Sequence, residues 1–449
     1  MYGLLIDTVG IQKYIFQSNH LQENLGASYI VKTLFNSLEI KLGEEKVTVG
    51  GGHCLITSLD SEDEVKKIIK DFSTEILKKY PGLTLSFAYI DDFDEQHFKE
   101  SIKKLYDKLE QNRNKYIIHN IVPHSGITAE CKRSGYTADV YYEDDKDFIS
   151  NVSSAKLQMT DDVVKDFNKQ FLGGTEYSFP TSFDKLGQNK GDSHIAVIHI
   201  DGNRMGAVLK NINTLEDYKQ FSKKVSEATK NSFKQFANYI IDHYKVFSNI
   251  LSDLKPKYLP IRPIVIGGDD ITFVSEARVS FDLTEKLLEF FAENFKKLYE
   301  KPITASAGIM IMGTKYPFYR GYMAVEDLTD IAKKGYNIDN PKSFLSFDVA
   351  YSGFFGVNEN TIKSYELSEF KQLKKSLGFL KKNWPHNKIK ELRRVLASGD
   401  EEIQIFIREL TARKIPLPND FNKDPFPYKK YQDLVTIIDL YPNELLKEA

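Results

Sequence analysis

The sequence predicts an α+β fold of two ferredoxin-like domains, a small connecting subdomain and a helical C-terminal domain. Two internal echoes carry that prediction. Leu4-Leu5-Ile6-Asp7-Thr8-Val9-Gly10 returns as Ile198-His199-Ile200-Asp201-Gly202-Asn203-Arg204-Met205-Gly206, each an apolar run that reaches an Asp. Val49-Gly50-Gly51-Gly52-His53-Cys54-Leu55-Ile56-Thr57-Ser58 returns as Ile266-Gly267-Gly268-Asp269-Asp270-Ile271-Thr272-Phe273-Val274-Ser275, a glycine turn between two β-like runs. The order in each half is then β-α-β-β-α-β, the ferredoxin-like succession.

Taken in order, the first half places its elements at about 2–7, 22–40, 46–50, 53–58, 62–79 and 84–91. The second half places them at about 194–201, 215–250, 262–267, 270–275, 279–299 and 303–311. The first domain is expected over 1–124 and the second over 191–357. Between them, 125–190 is mixed and polar, with Tyr141-Tyr142-Glu143-Asp144-Asp145-Lys146-Asp147 and the start of Gly187-Gln188-Asn189-Lys190-Gly191-Asp192, and is expected to be the connecting subdomain. From 358 to 449 the spacing turns helical: Ile389, Leu392, Val395 and Leu396, a break at Gly399-Asp400, then Ile403, Ile407 and Leu410 before Pro416 and Pro418.

Composition narrows the class. At about 150 residues per domain, 449 residues suffice for about three units with a sizeable core. Sixty-one Lys+Arg against 63 Asp+Glu leave a net charge of −2, so no global positive field drives sequence-independent nucleic-acid binding. Two cysteines, Cys54 and Cys131, are too few for a disulfide scaffold or a four-thiolate zinc site. The chain opens MYGLLIDTVG without a basic-then-apolar leader, and its apolar runs, such as Ile195-Ala196-Val197-Ile198, fall far short of a bilayer span. A soluble, cytoplasmic protein without a membrane partner is expected.

The second domain is the one with chemistry. In a β-α-β-β-α-β sheet the turn between strands two and three lies beside the C-terminal end of strand one, which brings Asp269 and Asp270 to Asp201. Three converging carboxylates repel one another unless cations sit between them, and hard oxygen ligands suit Mg²⁺ or Mn²⁺, two per site. The chemistry implied is phosphoryl or nucleotidyl transfer. Gly267 and Gly268 permit the φ > 0 of a tight hairpin and keep side chains away from a nucleotide. Gly202 and Gly206, flanking Asn203, Arg204 and Met205, offer main-chain N–H groups to a triphosphate, and Lys333 is placed to reach its β- and γ-phosphates. Taken singly, a Gly-Gly-Asp-Asp turn is as often an ordinary hairpin, Asp201 a helix cap, and Lys333-Lys334 a solvated face.

Together, Ile6-Asp7-Thr8-Val9-Gly10-Ile11-Gln12-Lys13-Tyr14-Ile15-Phe16, Leu25-Gly26-Ala27-Ser28-Tyr29, Ile200-Asp201-Gly202-Asn203-Arg204-Met205-Gly206 and Gly267-Gly268-Asp269-Asp270 resemble the large palm-domain subunit of type III CRISPR effector complexes. The likeness covers roughly 1–120 and 190–350. It implies two palm domains packed face to face, of the polymerase and nucleotide cyclase type, a GGDD palm that joins ATP into cyclic oligoadenylates in antiviral defence, and a helical domain after the second palm. A more distant likeness to GGDEF diguanylate cyclases implies a triphosphate contact for Ala332-Lys333. By the same resemblance Asp201, Asp269 and Asp270 form the metal set, Asp269 is favoured over Asp270 as direct ligand, and Gly202 through Gly206 hold the donor triphosphate. The first palm keeps Asp7 but has Gly52 and His53 where carboxylates belong; it is expected to hold the acceptor nucleotide or to buttress its neighbour. No His-Asp dipeptide of a nuclease domain occurs, so DNA cleavage is not expected. Glu130-Cys131-Lys132-Arg133-Ser134-Gly135 keeps one cysteine of a four-cysteine zinc element, so no structural zinc is expected.

His119 and His124 lack partners at metal-ligand spacing and read as surface residues, and Cys54 reads as a buried inert thiol. Lys371, Lys374, Lys375, Lys381, Lys382, Lys388 and Lys390 with Arg393 and Arg394 form a basic run around Trp384, a solvated helix face whose candidate ligands are RNA or CRISPR effector subunits. The leading reading is a metal-dependent nucleotidyltransferase making a cyclic oligonucleotide from ATP. Its alternatives are a non-catalytic RNA- or partner-binding scaffold and a GTP-using cyclic dinucleotide synthase.

Overall fold

The computed structural model describes residues 1–113, 121, 123–187, 193–209, 211–296, 298, 302–350 and 362–446. His119 and Gln188 through Asp192 lie outside them. The first half runs β1 (Tyr2–Val9), α1 (Ile11–Phe16), α2 (Leu21–Thr33), α3 (Asn36–Leu42), β2 (Val47–Gly50), β3 (His53–Leu59), α4 (Glu62–Lys79), β4 (Thr84–Ile90) and α5 (Phe98–Arg113). Its sheet has the antiparallel order β2-β3-β1-β4, the ferredoxin-like arrangement expected from the repeat. Successive residues of a strand face opposite sides, so Leu4 and Ile6 enter the main core while Leu5 faces Leu105 and Leu109 of α5. Asp7, on the Leu5 side, therefore meets the end of α5. The start of α4 is set by Ser61, whose Oγ accepts from Glu64 N at 3.2 Å.

A two-stranded hairpin, β5 (Val140–Tyr142) and β6 (Asp147–Ile149), then α6 (Asn151–Leu157) and α7 (Thr160–Phe167), connects the halves. Cys131 is buried here beside three hydroxyls. Ser134 Oγ and Ser150 Oγ lie 2.8 Å apart, Ser150 Oγ donates to Ser153 Oγ at 3.3 Å, and Cys131 Sγ lies 4.0 Å from Ser153 Oγ. Ser153 Oγ also donates to the buried Glu23 of α2 at 3.1 Å, so hydrogen bonds between side chains tie this segment to the first domain.

The second half runs β7 (His194–Gly202), α8 (Met205–Leu209), α9 (Leu215–Asp242), α10 (Tyr244–Ile250), β8 (Ile261–Gly267), β9 (Asp270–Glu276), α11 (Ser280–Phe295), β10 (Ala305–Gly313), α12 (Phe318–Lys333), β11 (Phe344–Val349) and β12 (Tyr365–Glu366). Its sheet order is β12-β11-β10-β7-β9-β8. The run β8-β9-β7-β10, with β8 at the edge, repeats the first sheet; β11 is an addition, joined parallel to β10 with α12 between them in sequence. Tyr365 and Glu366 pair with β11 although they lie past residue 357, where the second domain was expected to end.

The two sheets share packing. Ser28 Oγ of α2 donates to the Ile264 carbonyl of β8 at 2.5 Å, and Phe16 stacks on Tyr322 of α12. Helix α9 serves both glycine hairpins: Gly50 sits so near Ser222 that a Cβ there would come within 2.7 Å of its Oγ, and Thr229 Oγ1 donates to the Gly268 carbonyl at 2.6 Å. Seven residues of helix put the two hairpins about 10 Å apart along one axis.

The C-terminal region contains α13 (Leu367–Asn383), α14 (His386–Leu396), α15 (Asp400–Ala412) and α16 (Tyr428–Ile437). The expected helices are α14 and α15, with Gly399 at φ 102° between them and Asp400, Glu401 and Glu402 complementing the dipole of α15. The basic run is not one solvated face. Lys374 is buried between Asp282 and Glu285 of α11, Lys371 pairs with Glu289, Lys388 is buried against Glu391 and Glu409, Lys381 donates to the Tyr441 carbonyl, and Trp384 is core. These ammonium groups, and Arg393 through its 2.6 Å bond to the Val435 carbonyl, join helix to helix, which leaves Lys375, Lys382, Lys390 and Arg394 as the exposed remainder.

Candidate functional site

The register of the second sheet builds the site. Ile200 pairs with Ile271 and Gly267 with Asp270, so the end of β7 and the start of β9 are neighbours. On the other side of β7, Asp201 pairs with Ser306. Asp269 occupies the turn and Asp270 opens β9, which brings all three carboxylates to one sheet end as the topology requires. Of the two hairpin glycines only Gly268 takes a positive φ, 60°; Gly267 closes β8 in ordinary extended conformation, so the expectation that both need φ > 0 is corrected.

Gly202 is needed for a reason the sequence did not suggest. A Cβ on it would come within 2.8 Å of Asp269 Oδ2 and 2.9 Å of Asp269 Cβ, so its bare Cα lets that carboxylate fold over the end of β7. Asn203 is buried: its Nδ2 donates to Thr304 Oγ1 at 3.1 Å and its Oδ1 accepts from Ser306 Oγ at 2.9 Å, which clamps the strand end to β10. Arg204 then turns the chain in the left-handed region, φ 70°, a conformation that costs a non-glycine residue about 1 kcal/mol. Met205 packs inward and Gly206 has open space above it. These five residues, with Asp201, Asp269, Lys333 and Tyr336, line a cavity of about 380 Å³.

Charge distinguishes this sheet end from its counterpart in the first domain. There, Asp7 is gripped by Arg113 from the end of α5, and His53 Nδ1 lies 2.8 Å from its other oxygen. Burial alone would raise the Asp7 carboxyl, but His53 and Arg113 outweigh it and hold the group below its ordinary value. In the second domain Lys333, at the equivalent end of α12, ion-pairs with Asp201. Three carboxylates face that one ammonium. With all three ionised the surplus over Lys333 would be two negative charges, offset in part by Arg204 on the cavity wall. Burial, then the charge of Asp201, pushes Asp269 up to about 7; burial, then Asp201 and Asp269, pushes Asp270 well above its ordinary range. The donor set is oxygen-rich, open on the cavity side and short of positive charge, which fits a Mg²⁺- or Mn²⁺-type ion.

Two participants escaped the sequence reading. Tyr336 follows Lys333 by three residues and completes the cavity wall. His199, two residues before Asp201, shares its face of β7, a placement that strand periodicity alone could have revealed. A ring nitrogen of His199 and carboxylate oxygens of Asp201 and Asp270 all lie within 4.8 Å of one another. Asp269, favoured as direct ligand by resemblance, is not one of that trio; it neighbours Asp201 and lines the cavity wall. His124 is exposed, and Cys54 is buried on β3 with its thiol pushed up by that burial.

Among the described residues no helix is long and apolar enough to cross a membrane. Residues 194–340 match the family model of the Cas10/Cmr2 second palm domain. No curated protein matches the chain in sequence. Among solved structures, the Csm1–Csm4 cassette in complex with cA4 is similar at a TM-score of 0.60 and 16% identity, over 98% of this chain and 69% of that one. Csm1 in T. onnurineus is similar at 0.58 and 15% identity, over the same shares. The Csm1–Csm4 subcomplex of the type III-A CRISPR-Csm interference complex is likewise similar, at 0.58 and 15%, over 98% and 69%. Residues 194–340 are therefore a second palm domain of the Cas10/Cmr2 kind, set in a chain that has the fold of Csm1 along nearly its whole length.

Proposed function

We propose that the chain is a metal-dependent nucleotidyltransferase that condenses ATP into a cyclic oligonucleotide messenger, as the palm subunit of a type III CRISPR assembly. The observation that carries this reading is the convergence of Asp201, Asp269 and Asp270 at one sheet end, with Asp201 and Asp269 on the wall of a cavity that also holds the Lys333 ammonium. Asp201, Asp269 and Asp270 would hold divalent cations, which activate an attacking ribose hydroxyl and neutralise the departing pyrophosphate when bound. The loop from Gly202 to Gly206 presents its backbone to the triphosphate, and Gly267 keeps the hairpin free of side chains where the nucleotide approaches. Lys333, released from Asp201, supplies a charge for the β- and γ-phosphates. The first palm's hairpin, about two helical turns along α9 from Gly268, is the surface offered to the acceptor. The similar cassettes were crystallised with cA4 and with AMPPNP, which supports an adenine nucleotide as substrate class.

The test is direct. Purified protein, alone and assembled with its partner subunits and target RNA, is incubated with each NTP and Mg²⁺ or Mn²⁺ beside an Asp269→Ala/Asp270→Ala variant. A cyclic product from ATP that disappears in the variant is expected; no pyrophosphate from any NTP in either state would sink the reading. Lys333→Met is expected to raise the KM for ATP roughly tenfold, about 1.4 kcal/mol of lost phosphate contact, and to tighten Mn²⁺ binding because Asp201 no longer has a competing ammonium. Steady-state kinetics and a Mn²⁺ titration of the same variant check the two halves of that expectation separately.

A further inference from the structure

His199 is the one polar side chain on an otherwise apolar stretch of β7: Ile195, Ala196, Val197, Ile198 and Ile200 around it are all fully buried. It is itself 6% exposed. A buried imidazole among aliphatic side chains is costly unless both ring nitrogens are used. Nδ1 lies 2.9 Å from Thr272 Oγ1, its cross-strand partner in register. Thr272 and Asp270 share one face of β9, as His199 and Asp201 share one face of β7. The four side chains therefore form a rectangle across two strands, with Thr272 fixing the ring and the two carboxylates at the open end. A second bond, from Thr329 Oγ1 to the His199 carbonyl at 3.3 Å, and an edge-to-face contact with the Tyr322 ring, centroids 6.2 Å apart, hold the residue against α12. With Nδ1 engaged, Nε2 is the nitrogen left for Asp201 and Asp270.

We infer that His199 is a metal-selecting residue: its imidazole adds a nitrogen donor to Asp201 and Asp270, so the site takes Mn²⁺ in preference to Mg²⁺. Magnesium is a hard ion that keeps oxygen ligands and waters, whereas first-row transition ions accept imidazole and carboxylate together. An acid at position 199 would have given an all-oxygen set. The histidine instead supplies a donor without adding a fourth carboxylate to the three that already converge there. This inference rests on the reading that the carboxylates hold a divalent cation.

The experiment uses the full chain and reads the metal itself. Mn²⁺ binding is titrated by electron paramagnetic resonance, Mg²⁺ is added as competitor, and pulsed spectra of the Mn²⁺-loaded protein are searched for ¹⁴N coupling. Expected are Mn²⁺ binding that Mg²⁺ displaces only in large excess, and a directly bound nitrogen in the native protein. His199→Ala should remove the nitrogen signal and weaken Mn²⁺ about 10–100-fold. His199→Asp should keep metal binding, lose the signal and narrow the Mn²⁺ preference. The native spectrum needs no variant, so a misfolded substitution does not protect the inference. Bound Mn²⁺ without ¹⁴N coupling, or coupling that survives in a folded His199→Ala, overturns it and leaves the metal reading standing. No Mn²⁺ or Mg²⁺ bound by the native chain overturns the metal reading and this inference with it.

Discussion

Asp269→Asn is expected to cut product formation by about 10³-fold or more, because several kcal/mol of charge stabilisation is lost with a metal ligand, and at the same time to stabilise the metal-free protein. The second effect follows from the position of the carboxylate, folded over bare Gly202 and beside Asp201. Burial, then the charge of Asp201, lifts its carboxyl from 3.8 to about 7. Its sign is fixed by linkage: a folded-state pKa above the unfolded one means that the native chain binds the extra proton. The contribution to stability is fully present below the unfolded value and is lost as pH rises through about 7. A tenfold difference in proton affinity between the folded and unfolded chains is worth about 1.4 kcal/mol, so ionised Asp269 costs the apo fold on the order of a few kcal/mol at pH 8, and Asn costs none of it. Thermal melts at pH 5, 6.5 and 8 in chelator should therefore show the native chain losing stability with rising pH and the variant losing less. Saturating Mn²⁺ should reverse the order, since the ion binds the folded native site and not the unfolded chain. A variant that melts below the native chain at every pH in chelator would show that Asp269 is held by favourable contacts and not against its neighbours' charge. The carboxylates of this site thus oppose one another in a way that a bound cation would relieve, whereas their counterpart at Asp7 is already paired with Arg113 and His53.

What the sequence made legible was the repeated part of the molecule. Strands ending on Asp7 and Asp201 and the two glycine turns announce themselves because period-two burial and turn chemistry are local. Their spacing then implies which ends meet, and Asp201, Asp269 and Asp270 do meet. Legibility stopped where a residue's role depends on a distant partner. Lys374 and Lys388 look like surface lysines by composition, yet acids on α11 and α15 draw them inside. Gly202 looks like a phosphate-loop glycine, and its hydrogen makes room for Asp269. Asn203 is expected beside a nucleotide, and its buried amide has a second role that the sequence hides, clamping β7 to β10. Strand β11 went unread because Phe344 to Val349 follows the repeat, where no echo in the first half marks it. Only His199 was within reach of a local rule.

Lys374→Met is expected to destabilise the chain by about 3–5 kcal/mol. Its ammonium lies 2.7 Å from Asp282 and 3.1 Å from Glu285, and both acids sit on α11 of the second palm. Tyr441, near the C-terminal end, donates to the other Asp282 oxygen, so one buried cluster joins α11, α13 and the segment after α16. Burial would lower the lysine's pKa, but Asp282 and Glu285 outweigh it and raise the group, so the ammonium stays charged across the physiological range. Remove it and Asp282, already pushed up by burial, loses the one cation that offsets that burial, while Glu285 keeps only Lys371 at 3.4 Å. The loss is then that of one acid left without a cation and a second left with the weaker partner, and not of one contact. If so, Lys374→Met combined with Asp282→Asn should recover much of the stability, and Lys374→Arg should lose little. Chemical denaturation of the three full-length variants measures this, and equal losses for Lys374→Met with and without Asp282→Asn would refute the charge argument in favour of simple packing. Because the cluster fastens the helical region to the palm that carries Asp201, Asp269 and Asp270, Lys374→Met should also loosen α13 in hydrogen exchange before α12. Reversing the charge of Lys374 therefore reports on the fold, and an RNA contact of the C-terminal helices has to be sought at Lys375, Lys382 and Lys390.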